Sequence, residues 1–359
     1  MSELASNGGS TGVTPAGPDD RLGTCTADPP SPTTPVGAVV VTKVAGTVSA
    51  GYRVIERPTP GPGQLLIRPA YVGICGSDLE QLADHMPETF VINYPHVLGH
   101  EWSGEVVEVG PQVDDFEAGD RVIGHGDLGG NRWFGVTHDG AMAELFAVDR
   151  AVCFRLPAGM GLLSAALVEP FACVVEAFRK AGGVNAAHRV HIHGLGAIGL
   201  CAVIQAAITK ASVVAIDPSR KRRELALSLG AELAVDPADT EAMTALAAGA
   251  DVVVEASGAP PAQAATVESG AADGRVLFMG VSVPRAVPAR LGLIEQRNLT
   301  LTSSTGAPSG AWPSALRMLE RHLVDLTPLV STTFSFAECE EALARAADRG
   351  RETKVLLHP

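Results

Sequence analysis

The chain has 359 residues, of which 46% are hydrophobic and 19% are charged, and its formal net charge is -13 at pH 7. This length predicts two domains, and the composition is that of a globular protein rather than a disordered or fibrous one. The acidic balance argues against nucleic acid or an anionic membrane surface as a partner.

The cysteines and the start of the chain indicate a compartment. Six cysteines occur without paired spacing, so we expect free thiols rather than a disulfide framework. The start of the chain lacks the basic residues and apolar centre of a secretory signal. No uncharged apolar run has the length and pattern of a membrane span. We therefore expect a cytoplasmic protein with no membrane partner.

The first part of the chain alternates short strands with turns. Residues 1–36 are predicted to form a disordered tail, because a segment rich in Ser, Thr, Gly and Pro buries too little apolar surface to offset its ordering entropy. A β-branched run near Ala38 begins the ordered part. Short strands separated by Gly and Asp continue to about Pro157, which predicts a small twisted β-barrel.

The second part has a different pattern. Residues 162–180 form an apolar helical pattern that carries Glu169-Pro170 near its middle. Strands and helices then alternate as far as residue 303, which predicts a doubly wound parallel sheet. The strand-like segment 354–357 has no partner in that sheet. We therefore predict an α/β protein with one domain formed by residues 37–168 and 305–359 and a second formed by residues 169–304.

A glycine pattern predicts a dinucleotide site in the second domain. The segment Gly194-Leu195-Gly196-Ala197-Ile198-Gly199 lies between a predicted strand and an apolar helix. Gly194 would make the tight turn, Gly196 would let the backbone approach the pyrophosphate, and Gly199 would let helix and strand pack closely. The pyrophosphate would lie at the helix N-terminus, where free N–H groups and the helix dipole favour negative charge.

The choice of dinucleotide depends on Asp217, which ends the next predicted strand. Its carboxylate can accept the hydroxyls of the adenosine ribose and would repel a 2′-phosphate, which predicts NAD rather than NADP. The basic run 220–223 follows directly and could instead favour a phosphate. The alternative is a turn-capping aspartate followed by a solvated helix start.

Two glycine-rich stretches carry candidate metal ligands. Cys75 lies in one and His100 in the other, and thiolate and imidazole are ligands that zinc prefers. Each residue alone is more often structural. Ser77 adds a hydroxyl, and Asp78 could orient His100. A catalytic zinc needs a third ligand, for which Glu169 is the candidate because a carboxylate in an apolar segment needs a cationic partner.

The order of these motifs resembles the medium-chain dehydrogenase/reductase superfamily, and in particular its zinc-dependent alcohol and polyol dehydrogenases. The resemblance covers residues 39–359. The motifs are Gly73-Ile74-Cys75-Gly76-Ser77-Asp78, Gly99-His100-Glu101 with Gly104, Gly119-Asp120-Arg121-Val122, Glu169-Pro170 and the glycine fingerprint. The resemblance implies a GroES-like β-barrel catalytic domain and a Rossmann domain, with the site in the cleft between them.

The resemblance also implies a role for each site residue. Zinc would be held by Cys75, His100 and, as in the sorbitol-dehydrogenase-like branch, Glu169. Glu101 would be a neighbouring carboxylate that can exchange with water at the metal. Ser77 would take the proton of the substrate, with Asp78 as the support of His100, and Asp217 and Arg222 would bind the ribose.

Two positions depart from the family pattern. Many members carry a structural zinc on four closely spaced cysteines, and this chain lacks them, so we predict one catalytic zinc and no structural zinc. Glu80 stands where many members have the histidine that relays the proton to solvent. A carboxylate could also relay a proton, and the exit route stays open at this point.

We therefore expect a dehydrogenase that oxidises a primary or secondary alcohol of the polyol, sugar or amino alcohol class and transfers hydride to NAD. One alternative is a zinc-free reductase of the same superfamily, and another is a non-catalytic NAD-binding sensor. The expected partners are a small alcohol or carbonyl substrate and further copies of the chain in a homodimer or homotetramer.

Overall fold

The computed structural model of the protein describes residues 34–246, 249–280, 286–348, 350 and 352–359. Most of the predicted tail, residues 1–33, lies outside the described residues. The first strand begins at Val36.

The strands and helices follow in chain order. The strands are β1 (Val36–Val44), β2 (Thr47–Ile55), β3 (Gln64–Gly73), β4 (His96–Val97), β5 (Glu101–Val109), β6 (Arg121–Gly124), β7 (Phe146–Asp149), β8 (Cys153–Arg155), β9 (Arg189–His193), β10 (Ser212–Ile216), β11 (Leu233–Val235), β12 (Ala250–Glu255), β13 (Gly270–Phe278), β14 (Thr300–Ser303), β15 (Val330–Ser335) and β16 (Lys354–His358). The α-helices are α1 (Gly76–Leu82), α2 (Leu162–Ala165), α3 (Val168–Lys180), α4 (Ala197–Ile208), α5 (Arg220–Ser228), α6 (Thr240–Ala245), α7 (Pro260–Glu268), α8 (Gly292–Gln296), α9 (Trp312–Glu320) and α10 (Cys339–Ala347).

The first body of structure consists of two sheets around one apolar core. One sheet has the order β2-β1-β4, and the other has the order β15-β16-β3-β5-β6-β8, with β7 also paired to β3. Trp102 and Phe146 meet edge to face in the core, with their ring centroids 5.0 Å apart. A side chain at Gly104 would collide with the β3 backbone, so this glycine allows β3 and β5 to approach closely.

The last strand joins this first body of structure. Leu357 of β16 pairs antiparallel with Val72 of β3, and Leu356 pairs with Gly73. The C-terminal strand therefore lies beside the segment that leads into the first candidate metal ligand. The domain limits at residues 168/169 and 304/305 stay a prediction.

The second body is a parallel sheet with the strand order β11-β10-β9-β12-β13-β14. Its central strands β9, β10 and β12 are rich in Val and Ile and are mostly buried, as expected of a parallel sheet covered by helices. The strand order reverses between β9 and β12, and ligands of such sheets bind at this point, beyond the carboxyl ends of the strands. The α/β prediction with a doubly wound parallel sheet is confirmed.

The predicted apolar helix over residues 162–180 is wrong in one respect. The structure divides it into α2 and α3, so that Glu169 and Pro170 lie in the first turn of α3 rather than in mid-helix. The physical reason is that proline lacks an N–H donor and fits a helix without loss only in its first turn. None of the helices that the structure describes is long and apolar enough to cross a bilayer.

Candidate metal and cofactor site

Cys75 lies where β3 gives way to α1. The Ile74 N–H donates to the Val355 carbonyl at 3.0 Å, which ties the end of β3 to β16. The Cys75 N–H donates to Oδ2 of Asp78 at 2.8 Å, so Asp78 caps the helix. The thiol is thereby held at the start of α1, and it remains partly exposed.

His100 is brought to the same place by the preceding residue, Gly99, whose backbone conformation and close packing require glycine. Gly99 has φ of 100°, and a Cβ there would lie 2.7 Å from Met142 and 2.8 Å from Val72. Nε2 of His100 lies 3.5 Å from the Ser77 hydroxyl. On the opposite side of the ring, Nδ1 lies 3.8 Å from Oδ1 of Asp78. The ring therefore presents Nε2 toward the start of α1.

Three potential ligands meet at this point. The ligand atoms of Cys75, His100 and Glu101 all lie within 4.8 Å of one another, and both His100 and Glu101 are buried. Thiolate, imidazole and carboxylate are the donor types of zinc sites in proteins. The donor set therefore fits a zinc ion.

The electrostatics of the site also favour a cation. Burial on its own lowers the pKa of His100, but the neighbouring Cys75, Asp78 and Glu169 raise that pKa well above its usual value. Burial raises the pKa of Asp78 to about 6, while His100 acts to lower it. Anionic groups concentrated around one buried imidazole are costly without a compensating positive charge, which a metal ion supplies.

Glu169 lies nearby but outside the group of three. Burial raises its pKa to about 7, with a further contribution from the Glu101 carboxylate. The thiol of Cys173, one turn later on α3, donates to Oε1 of Glu169 at 3.5 Å. Among the described residues, the donors within 4.8 Å of one another include Glu101 and not Glu169. Glu169 as the third zinc ligand therefore stays a prediction.

Lys354 is a residue of the site that the sequence analysis missed. It is 4% exposed. Its Nζ forms an ion pair with the Glu101 carboxylate and donates to the Ile74 carbonyl at 2.9 Å. A side chain at Gly73 would clash with the Glu101 carboxylate, so this glycine leaves room for the pair. The sequence does contain a signal, since Lys354 begins an apolar strand segment. A lysine in such a position is seldom buried without a partner, so it indicates a buried carboxylate nearby.

We expect replacement of Lys354 by methionine to lower the free energy of unfolding by about 3–5 kcal/mol, because it leaves the Glu101 carboxylate buried and uncompensated. Urea unfolding followed by fluorescence measures this change. The matched control is Lys354→Arg, which keeps the positive charge and should lose much less. Equal stability of the methionine variant and the wild type would contradict the ion pair as a source of stability.

The glycine fingerprint forms the turn between β9 and α4. Gly194 has φ of 90°, a value that favours glycine. A side chain at Gly199 would collide with the Gly194 carbonyl, so helix and strand need glycine here to pack. A Cβ at Gly196 would have nothing within 4 Å, which leaves the backbone open to a phosphate. Ala197 and Ile198 form the first turn of α4, whose free N–H groups can bind an anion.

Asp217 lies against this turn. Its Oδ2 accepts the Leu195 N–H at 2.7 Å, and its Oδ1 accepts the Ser219 N–H at 2.8 Å. Arg222, the other predicted ribose-binding residue, donates from Nη2 to the Glu352 carbonyl at 2.6 Å. Arg223 contacts the Asp217 carbonyl at 2.7 Å. The structure thus places the carboxylate beside the phosphate-binding turn and directs Arg222 to the C-terminal segment.

Glu80 lies one helical turn beyond Ser77 on α1. Its side chain is 15% exposed, and its Oε2 lies 3.5 Å from Nδ1 of His85. The predicted site residues of α1, which are Ser77, Asp78 and Glu80, therefore occupy one short helix that begins beside Cys75.

Comparison with known proteins gives two matching families. Residues 61–158 match the family described as alcohol dehydrogenase GroES-like domain, and residues 197–321 match the family described as zinc-binding dehydrogenase. These matches confirm the predicted architecture of a GroES-like barrel with a Rossmann domain.

Individual relatives are similar over nearly the whole chain. Sorbitol dehydrogenase from Gallus gallus is 30% identical over 350 residues, which cover 89% of this chain and 95% of the relative. A zinc-binding dehydrogenase from Sinorhizobium meliloti 1021, solved bound to NADP, has a TM-score of 0.82 at 28% identity and covers 90% of this chain and 99% of its own. Galactitol-1-phosphate dehydrogenase from Escherichia coli has a TM-score of 0.78 at 28% identity and covers 89% and 99% of the two chains.

Proposed function

Because the chain belongs to the zinc-dependent alcohol and polyol dehydrogenases of the medium-chain dehydrogenase/reductase superfamily, we propose that it oxidises a hydroxyl group of a small polyol or sugar alcohol with NAD as the acceptor. The observation that carries this proposal is the meeting of Cys75, His100 and Glu101 within 4.8 Å, beside the Ser77 hydroxyl.

Each residue of the site has a defined task in this proposal. Cys75, His100 and Glu169 would hold the zinc. The bound zinc would supply a Lewis acid for the substrate oxygen, and the nicotinamide would supply the hydride acceptor. Ser77 accepts the proton of the substrate hydroxyl at Oγ. Asp78 restrains the imidazole of His100 from the far side of the ring, at 3.8 Å.

The two carboxylates next to the ligands have different surroundings. Glu101 is paired with Lys354, whereas Glu169 accepts a weak hydrogen bond from the Cys173 thiol. We propose that this difference makes Glu169 the resident third ligand and Glu101 an exchangeable one. A carboxylate that gives up an ion pair to bind the metal loses more than one that gives up a thiol contact.

We propose NAD rather than NADP as the cofactor, although the similar protein from Sinorhizobium meliloti holds NADP. The buried Asp217 carboxylate faces the glycine turn, where a 2′-phosphate would meet like charge. Two of the neighbouring cations already have carboxylate partners, because Arg220 pairs with Glu224 and Arg223 pairs with Asp236. Their positive charge is therefore partly compensated before a cofactor binds.

The Asp217→Ser variant should lower kcat/KM for NAD by about 10- to 100-fold, since a hydrogen bond to a charged group contributes roughly 1.5–3 kcal/mol. It should also raise kcat/KM for NADP, because the repulsion is removed. Steady-state kinetics with both cofactors measures the change. The exposed Asp239→Ser, at the start of α6, serves as the control. An unchanged ratio of the two constants would contradict the assignment.

Three further properties follow as proposals. We propose one zinc per chain, since the chain lacks the four clustered cysteines of a structural site. Strand β14 lies at one edge of the parallel sheet with Leu301 exposed, and it could pair across a homodimer or within a homotetramer. The described cysteines are free, which suits a reducing cytoplasm.

The proposal is tested with the purified protein. Metal analysis by mass spectrometry should find about one zinc per chain, and absorbance at the NADH band should rise with polyols or sugar alcohols from a substrate panel. Zinc and NAD binding without turnover of any hydroxyl compound would favour the sensor. Reduction of activated double bonds without bound zinc would favour the reductase.

A further inference from the structure

Trp133 differs from the other two tryptophans of the chain in its exposure. Trp102 and Trp312 are buried in the core, whereas Trp133, on the segment between β6 and β7, is half-buried. Among the described residues, no aromatic ring or cation stacks on the Trp133 indole. A large aromatic surface is therefore available to a ligand, and binding sites for small molecules are commonly lined by such side chains.

The backbone at Trp133 is held by a compact turn. Its N–H donates to Oγ1 of Thr137 at 2.8 Å, and its carbonyl accepts the N–H groups of Thr137 at 2.9 Å and His138 at 3.1 Å. The next residue, Phe134, is anchored in the core against Phe146, with the ring centroids 5.4 Å apart. The indole is thus placed before any ligand arrives, which lowers the ordering cost of binding.

One edge of the indole faces the candidate metal site across a glycine. A Cβ at Gly126 would lie 3.4 Å from Cβ of His100 and 3.6 Å from Cε3 of Trp133. The turn that carries Trp133 also packs on the backbone of the ligand, because a Cβ at Gly135 would lie 2.9 Å from the His100 nitrogen. The indole and the imidazole are therefore neighbours, and the residue between them has no side chain.

The same edge of the indole also contacts the segment that leaves the parallel sheet. Gly306 follows β14, and a Cβ there would lie 3.0 Å from Cη2 and 3.3 Å from Cζ3 of Trp133. Ligands of such sheets bind beyond the carboxyl ends of the strands. Trp133 thus lies between the candidate metal site and the edge of the sheet at which the cofactor is proposed to bind. A substrate that reacts with both groups must pass beside it.

We propose that the substrate packs on the Trp133 indole and that it is a ring-shaped polyol, a cyclitol or a pyranose sugar, rather than an open-chain one. This inference rests on the proposed function. The face of an aromatic ring carries partial negative charge and attracts the positive edge of C–H groups. A saturated ring presents several C–H groups together on one face. An open chain must lose rotational freedom to do the same, which weakens its binding.

The test first compares ring and open-chain alcohols with the zinc-loaded wild type and NAD. The ring compounds are myo-inositol, other cyclitols and methyl pyranosides, and the open-chain compounds are sorbitol and galactitol. The value of kcat/KM for the best ring compound should exceed that for either open-chain compound by about tenfold or more, because the aromatic contact and the lower ordering cost both favour the ring. NADH absorbance measures the rates.

Substitutions at Trp133 then separate recognition of the ring from a structural role. Trp133→Leu keeps apolar bulk but removes the flat aromatic face. It should lower kcat/KM for the ring compound by about 10- to 100-fold, mainly through KM, because the contact is the same in the ground state and the transition state. Open-chain compounds should lose much less. Trp133→Phe keeps an aromatic face and should retain most of the selectivity.

Zinc content and NAD affinity are measured on the same preparations and should not change. The matched control is Phe116→Ala, which removes another half-buried aromatic ring, one that packs under the Arg155 guanidinium at 4.7 Å. It should leave the ratio of ring to open-chain kcat/KM at the wild-type value.

The outcomes distinguish this inference from the proposed function. A wild type that prefers sorbitol or galactitol, or a ring to open-chain ratio that is unchanged in Trp133→Leu, would overturn the role of Trp133 while the dehydrogenase function stands. Loss of zinc from Trp133→Leu would also overturn it, since the indole would then support the metal site. Absence of NADH formation with every ring and open-chain alcohol would overturn the proposed function itself.

Discussion

Replacement of Cys75 by alanine is expected to abolish both zinc binding and turnover. The thiolate is one of three donors, and a carboxylate or water cannot readily replace it at the start of α1. Loss of Lewis-acid activation removes several kcal/mol of charge stabilisation in the transition state. Since each 1.36 kcal/mol corresponds to a factor of ten, we expect kcat to fall by about 10³-fold or more.

Zinc content by mass spectrometry and kcat are measured on the same preparation. The control is Cys153→Ala, which removes a buried thiol on β8, where burial raises the pKa of that thiol well above its ordinary value. This control should keep both zinc and turnover. A Cys75→Ala enzyme that retained stoichiometric zinc would show that the metal binds elsewhere.

The same assay separates the two candidate carboxylates. Glu169→Ala should lose zinc and turnover together. Glu101→Ala should keep most of its zinc, because Glu101 is already engaged by Lys354. If Glu101→Ala lost zinc and Glu169→Ala kept it, the third ligand would be Glu101. Glu101 is the carboxylate whose donor atom lies within 4.8 Å of those of Cys75 and His100.

Replacement of Ser77 by alanine has the second largest expected effect, and it separates proton transfer from metal binding. The Ser77 hydroxyl lies 3.5 Å from Nε2 of His100 but is not among the proposed ligands. The variant should therefore keep its zinc while kcat falls by about 10²–10⁴-fold, the usual contribution of a positioned acid or base.

The conservative variant Ser77→Thr keeps a hydroxyl at the same position and is expected to retain much of the wild-type rate. Zinc content, kcat and KM are compared across the wild type and both variants. A wild-type kcat in Ser77→Ala would remove Ser77 from the mechanism. Loss of zinc from that variant would show that the hydroxyl supports the metal site rather than the proton transfer.

Much of the molecule could be predicted from the sequence alone. The parallel sheet follows from apolar strands that alternate with helices, a pattern that is local along the chain. The glycine fingerprint is also local, since Gly194 and Gly199 are demanded by one turn and one close contact. Cys75 and His100 are predictable as candidate ligands in the same way, because each lies in a short glycine-containing motif, and the structure brings their donor atoms together.

Only the tertiary structure decided which groups surround these motifs. Lys354 contacts Ile74 across 280 residues of sequence, and no periodicity within β16 encodes that β16 pairs with β3. Because the chain breaks between α2 and α3, Glu169 lies in the first turn of α3 rather than in mid-helix. It lies near Glu101 but outside the group formed by Cys75, His100 and Glu101. The contact between Glu80 and His85 depends on one left-handed residue, Asp84. Sequence patterns determine which segments become strands and turns, whereas contacts between distant side chains depend on strand register and single backbone angles that only the folded chain sets.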